Sequence, residues 1–104
     1  MISVLMSSYK EEVAELKLAV ESILNQSYKD LEFIIIIDNP DNKIHKAILS
    51  EYAKKDRRIR LFINDRNIGL VASLNKALSL AKGDYIARMD ADDISVSTRL
   101  EKQL

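Results

Sequence analysis

Four isoleucines in a row, Ile34 to Ile37, follow Leu31-Glu32-Phe33 and leave few folds open to the chain. Side chains of a strand alternate between its two faces, so β-branched residues at every position ask for apolar cover on both sides. That is the environment of a central strand in a parallel sheet, with helices above and below. The run breaks at Asp38-Asn39-Pro40-Asp41-Asn42, a dense turn cluster in which Asp41 or Asn42 can cap a following helix.

The flanking sequence supplies the other parts of such a sheet. Ile2-Ser3-Val4-Leu5-Met6 reads as a short buried strand that opens into the polar Ser7-Ser8-Tyr9-Lys10. From Glu11 the apolar residues Val13, Leu16, Val20, Ile23 and Leu24 recur at helical spacing, and the helix is expected to stop near Asn25. A second helix is expected to bury Ile44, Ala47, Ile48 and Tyr52 and to turn His45 to solvent. The charged run Lys54 to Arg60 reads as its solvated end, before a third strand over Ile59 to Ile63. After the turn Asn64 to Gly69, a third helix is expected to bury Leu70, Leu74, Ala77, Leu78 and Ala81, with Gly83 as a left-handed C-terminal cap. Tyr85 to Met89 form a fourth strand delivering Asp90, and Thr98-x-x-Glu101 has the pattern of a capping box for a last helix.

Strands alternating with helices of this length predict an α/β fold with a mostly parallel sheet, because parallel neighbours need crossovers. With right-handed crossovers the expected strand order is 3-2-1-4, in three layers with helices on both faces. The 104 residues suit one domain. The switch point of that order lies between strands one and four, where open α/β sheets bind ligands beyond the carboxyl ends of their strands. The strand ends expected there are Ser7-Ser8-Tyr9 and Asp90-Ala91-Asp92, with Asp38 and Asn39 alongside.

At that edge Asp90, Asp92 and Asp93 place three carboxylates within four residues. Crowded carboxylates disfavour one another's charge unless a cation or water neutralises them, and hard divalent cations take such oxygen ligands. An acidic loop capping the next helix is the other reading of the spacing. Composition removes several alternatives. Sixteen basic and sixteen acidic residues give a net charge of zero, so no global field draws the chain to nucleic acid or anionic membrane. The chain has no cysteine and a single histidine, His45, which argues against thiolate zinc sites and histidine-based triads. No apolar run approaches the roughly 18 residues of a membrane span, so the expectation is a cytoplasmic location, or a peripheral one at the inner membrane face for a full-length protein.

Taken in order, Ile2 to Glu12, Ser22 to Tyr28, Glu32 to Asp38, Asn67-Ile68-Gly69-Leu70, Ala81 to Ala87 and Met89 to Asp93 resemble the nucleotide-binding half of family 2 glycosyltransferases. The resemblance implies a GT-A, Rossmann-like fold and a nucleotide-diphosphate sugar donor bridged to Asp90-x-Asp92 by Mn²⁺ or Mg²⁺. In family terms Asp92 is the direct metal ligand, and Asp90 partners the ribose or metal-bound water. Asp38 would read the base, Ser8 and Tyr9 would form the pocket wall, and Asn67 and Gly69 would border the nucleotide. Asn67 is equally readable as the cap of the third helix. The chain departs from the usual family residues at Ser7, Lys10 and Ile37. The resemblance also implies that a saccharide or lipid-linked acceptor site and the catalytic base of an inverting enzyme lie beyond Leu104. The chain is therefore expected to be an enzyme fragment, inactive alone and prone to self-association. A non-catalytic α/β interaction module and, last, a sugar nucleotidyltransferase are the alternatives.

Overall fold

The computed structural model describes residues 1–91, and Asp92, Asp93 and the Thr98-to-Glu101 capping pattern lie outside them. Strands and helices alternate as β1 (Ile2–Ser8), α1 (Val13–Leu24), β2 (Leu31–Ile37), α2 (Lys43–Lys55), β3 (Ile59–Ile63), α3 (Leu70–Leu80) and β4 (Tyr85–Asp90). The strands form one sheet in the order β3-β2-β1-β4, each neighbouring pair parallel. The order expected from the crossovers is the order found.

The isoleucine run explains why β2 is central. Every residue of β2 is buried. Phe33, Ile35 and Ile37 join Val4, Met6 and the apolar residues of α1 and α2 on one face, while Ile34 and Ile36 meet Leu5 and Ala77 of α3 on the other. Each fully buried isoleucine contributes about 1.5–3 kcal/mol relative to exposure, so the run alone weights the chain towards this arrangement. The three layers are thus α1 and α2, the sheet, and α3.

Two helices bury a different stripe from the one their apolar residues mark out. On α2 the buried residues are His45 and Leu49, with Tyr52 and Ala53 partly buried behind them, whereas Ile44 and Ala47 are exposed. On α3 the buried residues are Ser73 and Ala77, with Leu74, Leu80 and Ala81 packed nearby, whereas Leu70 and Leu78 are exposed. In both helices a polar residue with partners in the loops takes an inward position, and apolar residues stay outside. Apolar exposure of this kind is tolerated far more readily than an unpartnered buried polar group.

The Lys54-to-Arg60 run is not simply a solvated helix end. Arg58 holds the Asp56 carboxylate and the Leu24 carbonyl, and Arg60, within β3, holds the Glu32 carboxylate at 2.9 Å and the Leu80 carbonyl at 2.7 Å. Gly83 is not a left-handed cap either, since the only glycine with positive φ among the described residues is Gly69. A Cβ on Gly83 would lie 2.6 Å from Ser3 Oγ and 2.7 Å from the Met1 carbonyl oxygen, so the residue is small because β1 passes against it. Its N–H donates to Ser3 Oγ, which donates to buried Glu32.

Candidate functional site

The site grows from the carboxyl end of β1, which runs two residues further than its apolar stretch. Ser7 pairs in register with Asp90 of β4 and with Ile36 of β2, on the face covered by α3. Alternation then sends Ser8 to the opposite face. There it is fully buried, with its Oγ 3.2 Å from His45 Nδ1. The pocket wall expected at Ser8 is therefore formed by Ser7, one residue earlier in the pleat.

A cleft of about 500 Å³ opens at this edge, lined by Ser7, Tyr9, Glu11, Asp38, Asn67, Gly69, Leu70, Asp90 and Ala91. It brings together five of the expected residues, namely Tyr9, Asp38, Asn67, Gly69 and Asp90, at the switch point between β1 and β4. Ser8 lies outside it and Asp92 outside the described residues. Sequence reasoning placed Ser7 and Ala91 at this edge only as strand-end residues, without a role, and missed Glu11 and Leu70. Ser7 could have been preferred to Ser8, because carrying β1 to its last paired residue, Ser8, fixes by alternation which of the two side chains faces the cleft.

Asp38 follows β2 and is 2% exposed, yet its carboxylate is fully engaged. Oδ1 accepts from Asn64 Nδ2 and the Ile68 N–H, both at 2.8 Å, and Oδ2 accepts from Asn67 Nδ2 at 2.8 Å and the Gly69 N–H at 2.9 Å. A carboxylate offers about four acceptor directions, and the turn after β3 uses them all. Asn67 also donates to the Asp38 carbonyl, so it ties the turn to β2 and is not a helix cap; the cap of α3 is Gly69. Gly69 sits at φ 93°, ψ 163°, a conformation open essentially to glycine alone. Beneath the carboxylate, Asn64 donates to Ser73 Oγ and accepts from Lys76 Nζ at 2.8 Å, leaving the buried amide satisfied.

The facing wall is the loop from β1 to α1. The Tyr9 N–H donates to Glu11 Oε1 at 2.8 Å, and the Tyr9 carbonyl accepts from Asn39 and Asn42 side chains. Asn42 also caps α2 by accepting the His45 N–H, settling which of Asp41 and Asn42 is the cap. His45, expected at the surface, is 2% exposed, with Nε2 2.8 Å from the Glu11 carbonyl oxygen. The Lys10 ammonium lies 5.0 Å from the centroid of the Tyr9 ring.

Chemically, the cleft presents two carboxylates outside the Asp38 clamp, Asp90 and Glu11, together with the backbone of a glycine turn and one aromatic ring. Among the described residues no group of three or more His, Asp or Glu is gathered as a self-sufficient metal site. A single exposed carboxylate at a strand end suits a hard cation that completes its shell with phosphate oxygens and water. Asp90 stands at such a strand end and lines the cleft, and the turn after β3 engages both oxygens of Asp38.

The family model described as glycosyl transferase family 2 matches residues 3–104. The uncharacterized glycosyltransferase MJ1057 of Methanocaldococcus jannaschii is 52% identical over 103 residues, covering 99% of this chain and 36% of that protein. The S. aureus TarS 1-349 structure in complex with UDP-GlcNAc matches with TM-score 0.87 and 21% identity, over 98% of this chain and 29% of that one. Mannosyltransferase PcManGT from Pyrobaculum calidifontis, in complex with GDP-Man and Mn²⁺, matches with TM-score 0.79 and 21% identity, over 89% of this chain and 28% of that one. At these identities the structural matches establish the likeness of fold. The chain spans 12% to 37% of the length of the first curated relatives it matches.

Proposed function

The chain belongs to glycosyl transferase family 2 and carries the parallel sheet of GT-A glycosyltransferases, and from that premise we propose that its cleft binds the nucleotide diphosphate of a sugar donor. The observation that carries this reading is the placement of Asp90, Tyr9 and the Asn67–Gly69 turn around one cleft at the switch point of the sheet. The solved proteins of similar fold in complex with UDP-GlcNAc and with GDP-Man and Mn²⁺ support it.

In this reading Tyr9 offers its ring to the base, and Gly69, with open space where a Cβ would stand, lets the nucleotide approach the backbone. Asp38 contributes by holding the Asn67–Gly69 turn. Its oxygens are spent on that turn, so it acts on the base through the turn and not as a free acceptor. Asp90, with Asp92, would hold Mn²⁺ or Mg²⁺ as the Asp-x-Asp pair. Such an ion, when bound, neutralises charge on a departing diphosphate. The acceptor, a saccharide or lipid-linked hydroxyl, and the base for inverting transfer are assigned to the remaining length that the relatives possess. The product would be a polysaccharide or glycoconjugate. Among the described residues no helix is long and apolar enough to cross a membrane.

Calorimetric titration with UDP, GDP and other nucleoside diphosphates in the presence of MnCl₂ tests the proposal. Saturable binding that is lost in Asp92→Ala is the expected result. No saturable heat with any nucleotide, and an Asp92→Ala variant indistinguishable from the parent chain, would overturn it.

A further inference from the structure

We infer that His45 is a positioning residue for the donor cleft, holding the β1–α1 wall in place from behind; the inference rests on the donor-site reading above. His45 is the only histidine of the chain, lies on α2 and does not line the cleft. It is nevertheless buried and bonded through both ring nitrogens to the loop that does line it. Nε2 lies 2.8 Å from the Glu11 carbonyl oxygen, and Nδ1 lies 3.2 Å from Ser8 Oγ.

These partners determine the tautomer. A carbonyl oxygen only accepts, so Nε2 carries a proton, and in the neutral ring the Ser8 hydroxyl then donates to Nδ1. The imidazole therefore bridges the last residue of β1 to Glu11, across Tyr9 and Lys10. Two of the residues held in this way, Tyr9 and Glu11, line the cleft. The segment leading into α2 reaches the loop twice more, through Asn39 and the N-cap Asn42 on the Tyr9 carbonyl. Asn42 meanwhile accepts the His45 N–H, so the cap that starts α2 also fixes the place of the imidazole. An apolar side chain could fill the volume but would leave the Glu11 carbonyl and the Ser8 hydroxyl without these partners. The polar bridge thus couples the start of α2 to the position of the Tyr9 ring.

Because the chain has one histidine, its imidazole nitrogens give an unambiguous NMR signature in the intact protein. In mildly alkaline buffer the Nε2–H tautomer is expected, and an Nδ1–H tautomer would overturn the assignment. Amide exchange at Tyr9, Lys10 and Glu11 should accelerate in His45→Leu relative to the amides of β2. Affinity for UDP or GDP with MnCl₂ should fall roughly tenfold, the scale of one lost hydrogen-bonded bridge. His45→Gln, which can return an N–H to the Glu11 carbonyl, should recover most of both. Unchanged loop exchange and affinity in His45→Leu, or a lowered Tm with both readouts intact, would overturn the inference. Should His45→Leu not fold, His45→Asn, which reaches Ser8 but not Glu11, carries the same comparison. If the parent chain binds neither nucleotide, the donor-site reading fails by itself. Loop exchange then decides the role of His45, local acceleration supporting it and none refuting it.

Discussion

The Asp38 carboxylate accepts the Gly69 N–H at 2.9 Å, joining the end of β2 to the first residue of the α3 cap. With three further donors on the same carboxylate, this contact makes Asp38 the clamp of the cleft wall. Asp38→Asn would replace one accepting oxygen by an NH₂ group facing N–H donors. It should lower stability by about 2–3 kcal/mol in urea unfolding, the scale for hydrogen bonds to a buried charge. A residue that only read the base would instead change nucleotide preference at constant stability.

Gly69 and Gly83 should both resist substitution by alanine, for opposite reasons. A Cβ on Gly69 meets nothing within 4 Å, but φ of 93° is strained for an L-residue, so Gly69→Ala should cost about 1–3 kcal/mol. A D-alanine introduced there by semisynthesis should restore stability, because the mirror-image residue favours that backbone. At Gly83 the obstacle is the Ser3 and Met1 atoms, which would have to move for Gly83→Ala to fold. Thermal unfolding of the three variants separates strain from crowding.

The sheet was legible in the sequence because its signals are local and redundant. Four β-branched residues at Ile34 to Ile37 demand two covered faces, and crossover length and handedness then restrict strand order. The helix stripes were less legible. His45 could be assigned inward only by knowing that Ser8 and the Glu11 carbonyl, more than thirty residues earlier, would meet its ring. Ser7 and Ser8 show the same limit at the site. Ending β1 at Met6 leaves the pleat undefined, and a one-residue error exchanges the two faces. For Asp38 the position was readable, but the four donors that occupy it come from a turn distant in sequence.

Glu32 should give the chain a specific acid sensitivity. Burial opposes its charge, but hydrogen bonds from Ser3, the Lys82 N–H and Arg60 outweigh that and hold its carboxyl below the ordinary value of 4.5. A depressed folded-state pKa means that the ionised group's stabilisation is fully present above the unfolded value and is lost as pH falls through the folded one. Glu32→Gln should therefore be less stable than the parent by a nearly constant amount at neutral pH. That difference should shrink as pH drops below 4.5, measured by denaturant unfolding across the range.

Apolar surface on α3 and β4 should promote self-association. Val71 is 73% exposed, Leu70 52%, Tyr85 57% and Ile86 41%, and among the described residues β4 is an outer strand of the sheet. An outer strand with exposed apolar residues invites pairing with another copy. Light scattering should find species larger than a monomer at tens of micromolar, and Val71→Lys with Ile86→Lys should reduce them. A monomer at all such concentrations would refute the expectation.

Asp90 separates the stability of the chain from its proposed chemistry. It is exposed at the end of β4, in register with Ser7, and lines the cleft. An exposed carboxylate contributes little to folding, so Asp90→Asn should change unfolding free energy by less than about 1 kcal/mol. The substitution keeps the shape of the side chain but removes the charge that a divalent cation or a cation-bound diphosphate would meet. Affinity for a nucleoside diphosphate in MnCl₂ should fall by roughly tenfold or more, the equivalent of about 1.4 kcal/mol. Binding of the same nucleotide without divalent cation should be little weakened, because the lost charge attracts the cation and repels the phosphates. Equal affinity of parent and Asp90→Asn in MnCl₂ would remove Asp90 from the metal-side reading while leaving the Asp38 clamp and the Tyr9 wall untouched.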